Sequence, residues 1–274
     1  MTLDETAPPG VDINRPSIAR VYDYMLGGKD NFAVDRAAGQ RALEITPDGP
    51  EAARASRAFL RRVVRYLAGE VGIRQFLDLG SGLPSQGNVH EIAHLVDPTI
   101  RVIYVDNDPM VLAHGRALLC DNDTTNVIQA DVRHPEAILG DPTVRERLDF
   151  DRPIGLLMLG ILHHVNDDEA PARIAATMRD ALPPGSYLAI SHFRDPGFAH
   201  PEVSAKARDV ERVFNQTLGT GRWRQQEEIL AYFGDLPLVD PGLVPLADWR
   251  PDTEERPDQT DTYLTFVGGV ARKP

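Results

Sequence analysis

The sequence predicts an α/β fold: a mostly parallel sheet with an antiparallel terminal hairpin, preceded by a helical cap. Three observations carry that reading. The apolar run Phe76-Leu77-Asp78-Leu79 breaks into Gly80-Ser81-Gly82, the form of a strand buried on both faces that turns into a helix. Two later apolar runs, 101–105 and 127–130, lead into Asp106 and Asp131, so three successive strands end in carboxylates, Asp78 being the first. The last two apolar stretches, 236–246 and 263–270, are joined only by the charged loop 248–261. With no crossover helix between or after them, they read as a hairpin at the sheet edge.

Taken in order, residues 1–14 read as a loose tail. Ile18, Val21, Tyr22 and Met25 recur at three- and four-residue spacing, so 17–26 is a short amphipathic helix stopped by Gly27-Gly28. Lys29-Asp30-Asn31-Phe32 leads into a second helix, to about Ile45. A third, 51–70, carries Ala55, Phe59, Val63 and Leu67 as its inner stripe and places Arg54, Arg57, Arg61, Arg62 and Arg65 on a solvated face. These helices precede the first strand and cannot be crossovers. Residues 15–70 are therefore expected to cap the sheet, and 71–274 to form the main domain. Tyr22, Tyr24, Lys29 and Asn31 are the cap's candidates for the substrate side. Packing is the plain alternative for Tyr22, and helix capping for the other three.

Beyond the glycine turn, 88–96 and 109–119 are crossover helices, Pro109 suiting a first helical position. His90 and His94 stand four apart, too sparse a set for a metal site. After a short helix over 141–148 comes the most apolar run, 154–159, the fourth and central strand. Gly160-Ile161-Leu162-His163-His164 follows it, at the carboxyl edge where such sheets bind ligands. A helix beginning at 167–169 runs to Pro183. The fifth strand, 186–191, ends at His192, again on the ligand edge. Helices over 201–218 and 225–233 form an insertion, 197–235, expected to wall a substrate pocket.

Composition narrows the partners. The 274 residues carry 41 acidic and 29 basic side chains, a formal net charge of −12. That argues against nonspecific nucleic-acid binding, which needs clustered Lys and Arg. No apolar stretch is long enough for a bilayer span, and the first ten residues lack the form of a secretory signal. The single cysteine, Cys120, excludes an internal disulfide and reads as an apolar filler at a helix end. A cytoplasmic protein acting on a small molecule is the expectation.

The run Asp78-Leu-Gly-Ser-Gly, then Val105-Asp106-Asn107-Asp108, then Ala130-Asp131-Val132 resembles the class I S-adenosylmethionine-dependent methyltransferases. More narrowly, Arg20-Val-Tyr-Asp-Tyr-Met-Leu-Gly-Gly-Lys-Asp-Asn-Phe32 resembles the opening signature of a bacterial family of such enzymes with no assigned substrate. The resemblance spans about 15–271. It implies a Rossmann-like methyltransferase sheet with S-adenosylmethionine as cofactor. It further implies Gly80, Ser81 and Gly82 beside the amino-acid tail, with Asp78 acting through its ammonium or a water. Asp106 would take the ribose hydroxyls, Asp131 would accept from the adenine amine, Asn107 and Val132 would flank the ring, and Gly160 would face the methyl group.

Methyl transfer is a direct displacement at carbon, helped by alignment and exclusion of water. A base is needed only where the acceptor must lose a proton. His163 and His192 are the candidates for that role, with His164 on the substrate side. Two other classes compete. A nicotinamide-dependent oxidoreductase would use Asp106 in the same way, but its fingerprint needs a third glycine at position 85, where Ser85 stands. A cofactor-binding regulator without turnover fits the same residues.

Overall fold

The computed structural model describes residues 7–84, 87–119, 123–253 and 258–274; Ser85 and Cys120 lie outside the described residues. Three helices, α1 (Ile18–Met25), α2 (Ala33–Leu43) and α3 (Gly49–Arg65), precede β1 (Gln75–Leu79). Then come α4 (Val89–His94), β2 (Arg101–Asp106), α5 (Pro109–Leu119), β3 (Thr125–Gln129), α6 (Pro135–Gly140), α7 (Pro142–Arg147) and β4 (Gly155–Leu159). The chain continues through α8 (Pro171–Asp180), β5 (Tyr187–Phe193), α9 (Pro201–Thr217) and α10 (Gln226–Ala231). It ends with β6 (Val244–Pro245), α11 (Asp261–Thr265) and β7 (Phe266–Arg272). The seven-stranded sheet has the order β3-β2-β1-β4-β5-β7-β6; β1 to β5 are parallel, and β7 runs antiparallel to both its neighbours. Among the described residues no helix is long and apolar enough to cross a membrane.

Strand alternation sorts the core into two layers. Leu77 and Leu79 of β1 join Ile103, Val105, Leu156, Met158, Leu188 and Ile190 on one face, covered by Ile138, Val144, Ile174 and Ile229 of α6, α7, α8 and α10. Phe76 joins Val102, Leu157, Ala189 and Val270 on the other, covered by α3 and α4. Each such side chain removed from water contributes about 1.5–3 kcal/mol.

Four expectations change here. Only α1 and α2 of the expected cap lie off the sheet's faces: Phe59, Val63, Val64 and Leu67 are fully buried in the second layer, so α3 and the turn after it are part of the core. A sheet face needs a cover, and α6, α7, α8 and α10 leave this one to α3 and α4. Arg62 is accordingly not solvated; it is 7% exposed and donates to the carbonyls of Trp249 (2.8 Å) and Leu246 (2.6 Å). Residues 7–14 are not loose either, since Val11 and Ile13 pack against Ala19, Phe32 and Met110. The edge hairpin is present but abbreviated. Pro237, Pro241 and Pro245 interrupt 236–246, and proline cannot donate to a ladder, so β6 keeps two residues and Leu238 a single bridge to Ala271. Tyr263 falls in α11 rather than in the last strand, and the joining loop is described only in part.

Candidate active site

Strand order reverses between β1 and β4, and the carboxyl edge at such a switch point is where open α/β sheets bind ligands. A cavity of about 700 Å³ opens there. Gly80 (φ +71°) and Gly82 (φ +67°) bend the chain at its floor in the left-handed region that favours glycine. A Cβ on Gly80 would stand 2.7 Å from the Ile161 side chain, whereas one on Gly82 would meet nothing within 4 Å among the described residues, so the backbone at Gly82 is open to the cavity. Among the described residues the Ser81 hydroxyl, buried there, has no partner.

Asp106 ties the floor together: one oxygen accepts the Gly82 N–H (2.8 Å), the other the Asp108 N–H (2.9 Å). Burial pushes its carboxyl up to about 6, against the pull of those amides. Asp78 is pushed up to about 7, chiefly by burial, with Arg57 pulling it down and Asp106 pushing it further up. Asp131 differs. Arg133 grips both its oxygens (2.9 and 2.5 Å) and Asn107 donates to it at 3.3 Å, which holds it down at about 2. Val132 and Gly160 complete this end of the lining.

His163 and His164 line the cavity as well. Phe193 lies flat on His163 (centroids 3.7 Å apart, 17° between planes), and Trp223 flat on the other face of Phe193 (4.4 Å, 12°). Phe214 stands nearly perpendicular to both Phe193 and Trp223. The backbone N–H of Phe193 donates to His163 Nδ1 at 3.3 Å. Burial, then the neighbouring His164, His192 and Arg224, hold His163 well below the usual imidazole range. Burial takes His164 down to about 3, and its Nδ1 has no partner among the described residues.

His192 does not join them. β5 runs on through Phe193, so His192 shares its parity with Leu188 and Ile190 and points into the first core layer. It is fully buried there, tilted against Tyr232, with Nδ1 on the Phe193 carbonyl and Nε2 receiving from Arg224. The other residue after the apolar run, Phe193, is the one that lines the cavity. Of the cap candidates, Tyr22 reaches the cavity, its hydroxyl donating to the Ala53 carbonyl. Tyr24, two residues on and so on another side of α1, bonds Gln40; Lys29 is exposed; Asn31 donates to Asp23 and to the Gly28 carbonyl. None of the three lines the cavity. Sequence reasoning missed Arg57 and Arg133, which act on the carboxylates, and the rings Phe193, Phe214, Trp223 and Phe266. The spacing Asp131-x-Arg133 was the one local signal among them.

A strand order of 3-2-1-4-5-7-6 with an antiparallel last pair, and carboxylates around a glycine turn at the switch point, define a class I methyltransferase. The sequence matches the S-adenosyl methyltransferase family over residues 4–274, and the chain belongs to that family. It is an S-adenosylmethionine-dependent methyltransferase, which removes the nicotinamide alternative. A protein from Thermobifida fusca, described as a candidate methyltransferase, is 48% identical over 97% of this chain and 98% of its own, with a TM-score of 0.91. A DUF574 family protein from Streptomyces avermitilis is 38% identical over 96% and 99%, with a TM-score of 0.89. An O-methyltransferase family 2 protein from Planctomyces limnophilus shares the fold at 18% identity (93% and 65% covered, TM-score 0.52). No curated protein matches the chain.

The floor suits this cofactor. An ammonium, a sulfonium, two ribose hydroxyls and an adenine amine are all cationic or hydrogen-bond donors. The floor offers carboxylate oxygens, an unpartnered hydroxyl at Ser81 and open backbone at Gly82.

Proposed function

We propose that the enzyme methylates a small molecule held between the floor carboxylates and the aromatic wall, with the amino-acid end of the cofactor at Asp78 and Gly80–Gly82, the ribose at Asp106, and the adenine beside Asn107, Asp131 and Val132. The observation that carries this is the single cavity reaching from the glycine turn to the Phe193–Trp223 stack. Its volume of about 700 Å³ lies within the range of pockets that enclose most of a small ligand. The cofactor supplies a methyl group on a sulfonium, which the acceptor's lone pair takes as the carbon–sulfur bond breaks and its electron pair stays on sulfur. The chain's own residues bind, orient and dry the site. Asp78 ionises against the cationic end, the one charge change that compensates its burial. Asp106 accepts from the ribose with the lone pairs its two amide bonds leave free. The rings keep water from the reacting pair, which favours alignment over side reactions. His163 offers its Nε2–H as a donor at the acceptor side. A cytoplasmic setting is the reading that the single cysteine supports.

Calorimetric titration with S-adenosylmethionine, S-adenosylhomocysteine and NADH tests the cofactor half. Binding of the first two alone supports it, and NADH binding overturns it. Release of S-adenosylhomocysteine over a panel of small acceptors against nucleic acid and protein acceptors tests the other half.

A further inference from the structure

The geometry points to a neutral, planar aromatic ring as the acceptor, seated against the edges of the His163–Phe193–Trp223 stack; this rests on the cavity being the methyl-transfer site. Phe193 is half-buried although both its faces are covered, by His163 at 3.7 Å and Trp223 at 4.4 Å. What it leaves accessible to the cavity is therefore its rim. The rim of an aromatic ring is the positive part of its quadrupole, and it attracts the negative face of another aromatic ring and repels a cation. An aromatic cage for an ammonium would present ring faces, and here both faces of Phe193, at the centre of the wall, are used up by His163 and Trp223. His163 adds a donor of the same sign: with Nδ1 accepting from the Phe193 N–H, its ring proton sits on Nε2 and suits an oxygen substituent of the bound ring.

The α9 side of this end is mainly apolar. Val203, Ala207 and Val210 of α9 line the cavity at helical spacing, with Phe214 one turn further on. The charged residues Lys206 and Asp261 also line it, and they pair with each other at 2.5 Å. Carboxylates that could hold a cationic acceptor are instead gathered at the floor, where the cofactor's own positive charge lies. The wall thus recognises flatness and apolarity, and discriminates against charge.

The test uses the full chain saturated with S-adenosylhomocysteine, titrated by calorimetry with three probes. These are 2-naphthol, trans-decahydro-2-naphthol (same skeleton and hydroxyl, no π face) and 1-methylquinolinium (flat but cationic). The chain has two tryptophans, Trp223 on the wall and the fully buried Trp249, so their indole ¹⁵N–¹H resonances report the place of binding. Saturable binding of 2-naphthol, at least tenfold tighter than either control and shifting the Trp223 resonance alone, is expected. Trp223→Leu and Phe214→Leu should each weaken it at least tenfold while leaving S-adenosylhomocysteine affinity unchanged. Equal binding of the decahydro compound, tighter binding of the quinolinium, or no binding of 2-naphthol to the loaded protein overturns the aromatic acceptor alone. Failure of S-adenosylhomocysteine to bind overturns the methyl-transfer site itself.

Discussion

His163 accepts, through Nδ1, the backbone N–H of Phe193 at 3.3 Å, and that bond decides what the imidazole can do. A backbone amide can only donate, so the Nδ1 lone pair is engaged, the ring is neutral and its proton is on Nε2. Such a ring donates at Nε2 and cannot take a proton there. The role of general base therefore does not fit His163, and His192 is out of reach in the core. The expected outcome is a His163 ring whose ¹³C–¹H resonances stay constant from pH 5.5 to 8. A midpoint near 6.5 would return it to the role of base.

Asp78 makes stability and affinity pull against each other. Its carboxyl ionises near 3.8 when exposed and at about 7 in the fold, so the folded state holds the extra proton between those values. Stability from this group is present below pH 4 and is lost as pH rises toward 7. The loss is on the order of 4 kcal/mol above that, at about 1.4 kcal/mol per unit. Asp78→Asn should raise the unfolding free energy of the cofactor-free protein at pH 8 by a few kcal/mol in urea. With the cofactor's cationic end at Asp78, as proposed, binding needs the ionised form. Wild-type affinity for S-adenosylmethionine should thus rise up to tenfold per unit from pH 5.5 to 7, and the variant's should be flat and weaker. A flat wild-type profile in calorimetry would refute the assignment.

The three buried histidines work in the other direction. His163, His164 and His192 are all held below their usual range, mainly by burial. The unfolded chain then takes up protons first as pH falls through 6.5, and stability drops from there toward about 3. Asp78 and Asp106 partly offset that fall. Asp78→Asn, by removing one of the two offsets, should steepen the acid-side loss measured by thermal unfolding from pH 6.5 to 4.5. A slope equal to the wild type's would mean the carboxyl is not raised.

What was legible in the sequence follows from where local pattern decides structure. The parallel strands read correctly because apolar runs such as 154–159 have no other home than a sheet buried on both faces. The carboxylates Asp78, Asp106 and Asp131 reach the cavity because each lies within two residues of the carboxyl end of a parallel strand. Parity was the weak point. Placing the end of β5 at Ser191 sent His192 to the ligand edge, and two more residues of strand put Phe193 there instead. The aromatic wall joins β5 to residues 214 and 223, outside the reach of periodicity. Arg57 and Arg62 looked solvated because charge alone does not say which carbonyl or carboxylate a fold will bring to it.

Asp106→Asn should be about as damaging as Asp106→Ala. Each carboxylate oxygen accepts a backbone N–H, from Gly82 and from Asp108. An asparagine must turn its amide donor toward one of those donors, which leaves a buried pair of N–H groups facing each other. One hydrogen bond to a charged group is worth roughly 1.5–3 kcal/mol, so either change should weaken S-adenosylhomocysteine binding by tenfold or more in calorimetry. An asparagine variant with wild-type affinity would show that these amide contacts do not set the loop.

The cap is coupled to the cofactor floor through Ser17. Its hydroxyl donates to Asp108, whose other oxygen accepts the Met110 N–H at 2.8 Å, next to Asp106. Its own N–H donates to Asp35 at 2.9 Å, and Asp35 holds Arg20 in a buried ion pair of 2.9 Å. The Gly27-Gly28 break is a poor hinge by comparison, because the Asp23 carboxylate accepts from the Asp30 N–H and from Asn31 across it. Binding of S-adenosylhomocysteine at Asp106 should therefore be felt at the start of α1 and not at the break. In hydrogen exchange, residues 17–22 and 106–112 should gain protection together on binding, with 27–31 unchanged. Ser17→Ala should keep the gain at 106–112 and lose it at 17–22. Removing the ion pair is a different injury: Arg20→Met strands Asp35 as a buried charge and should cost about 3–5 kcal/mol of stability with or without ligand. Should Ser17→Ala leave both segments gaining protection as before, the link between cap and floor runs elsewhere.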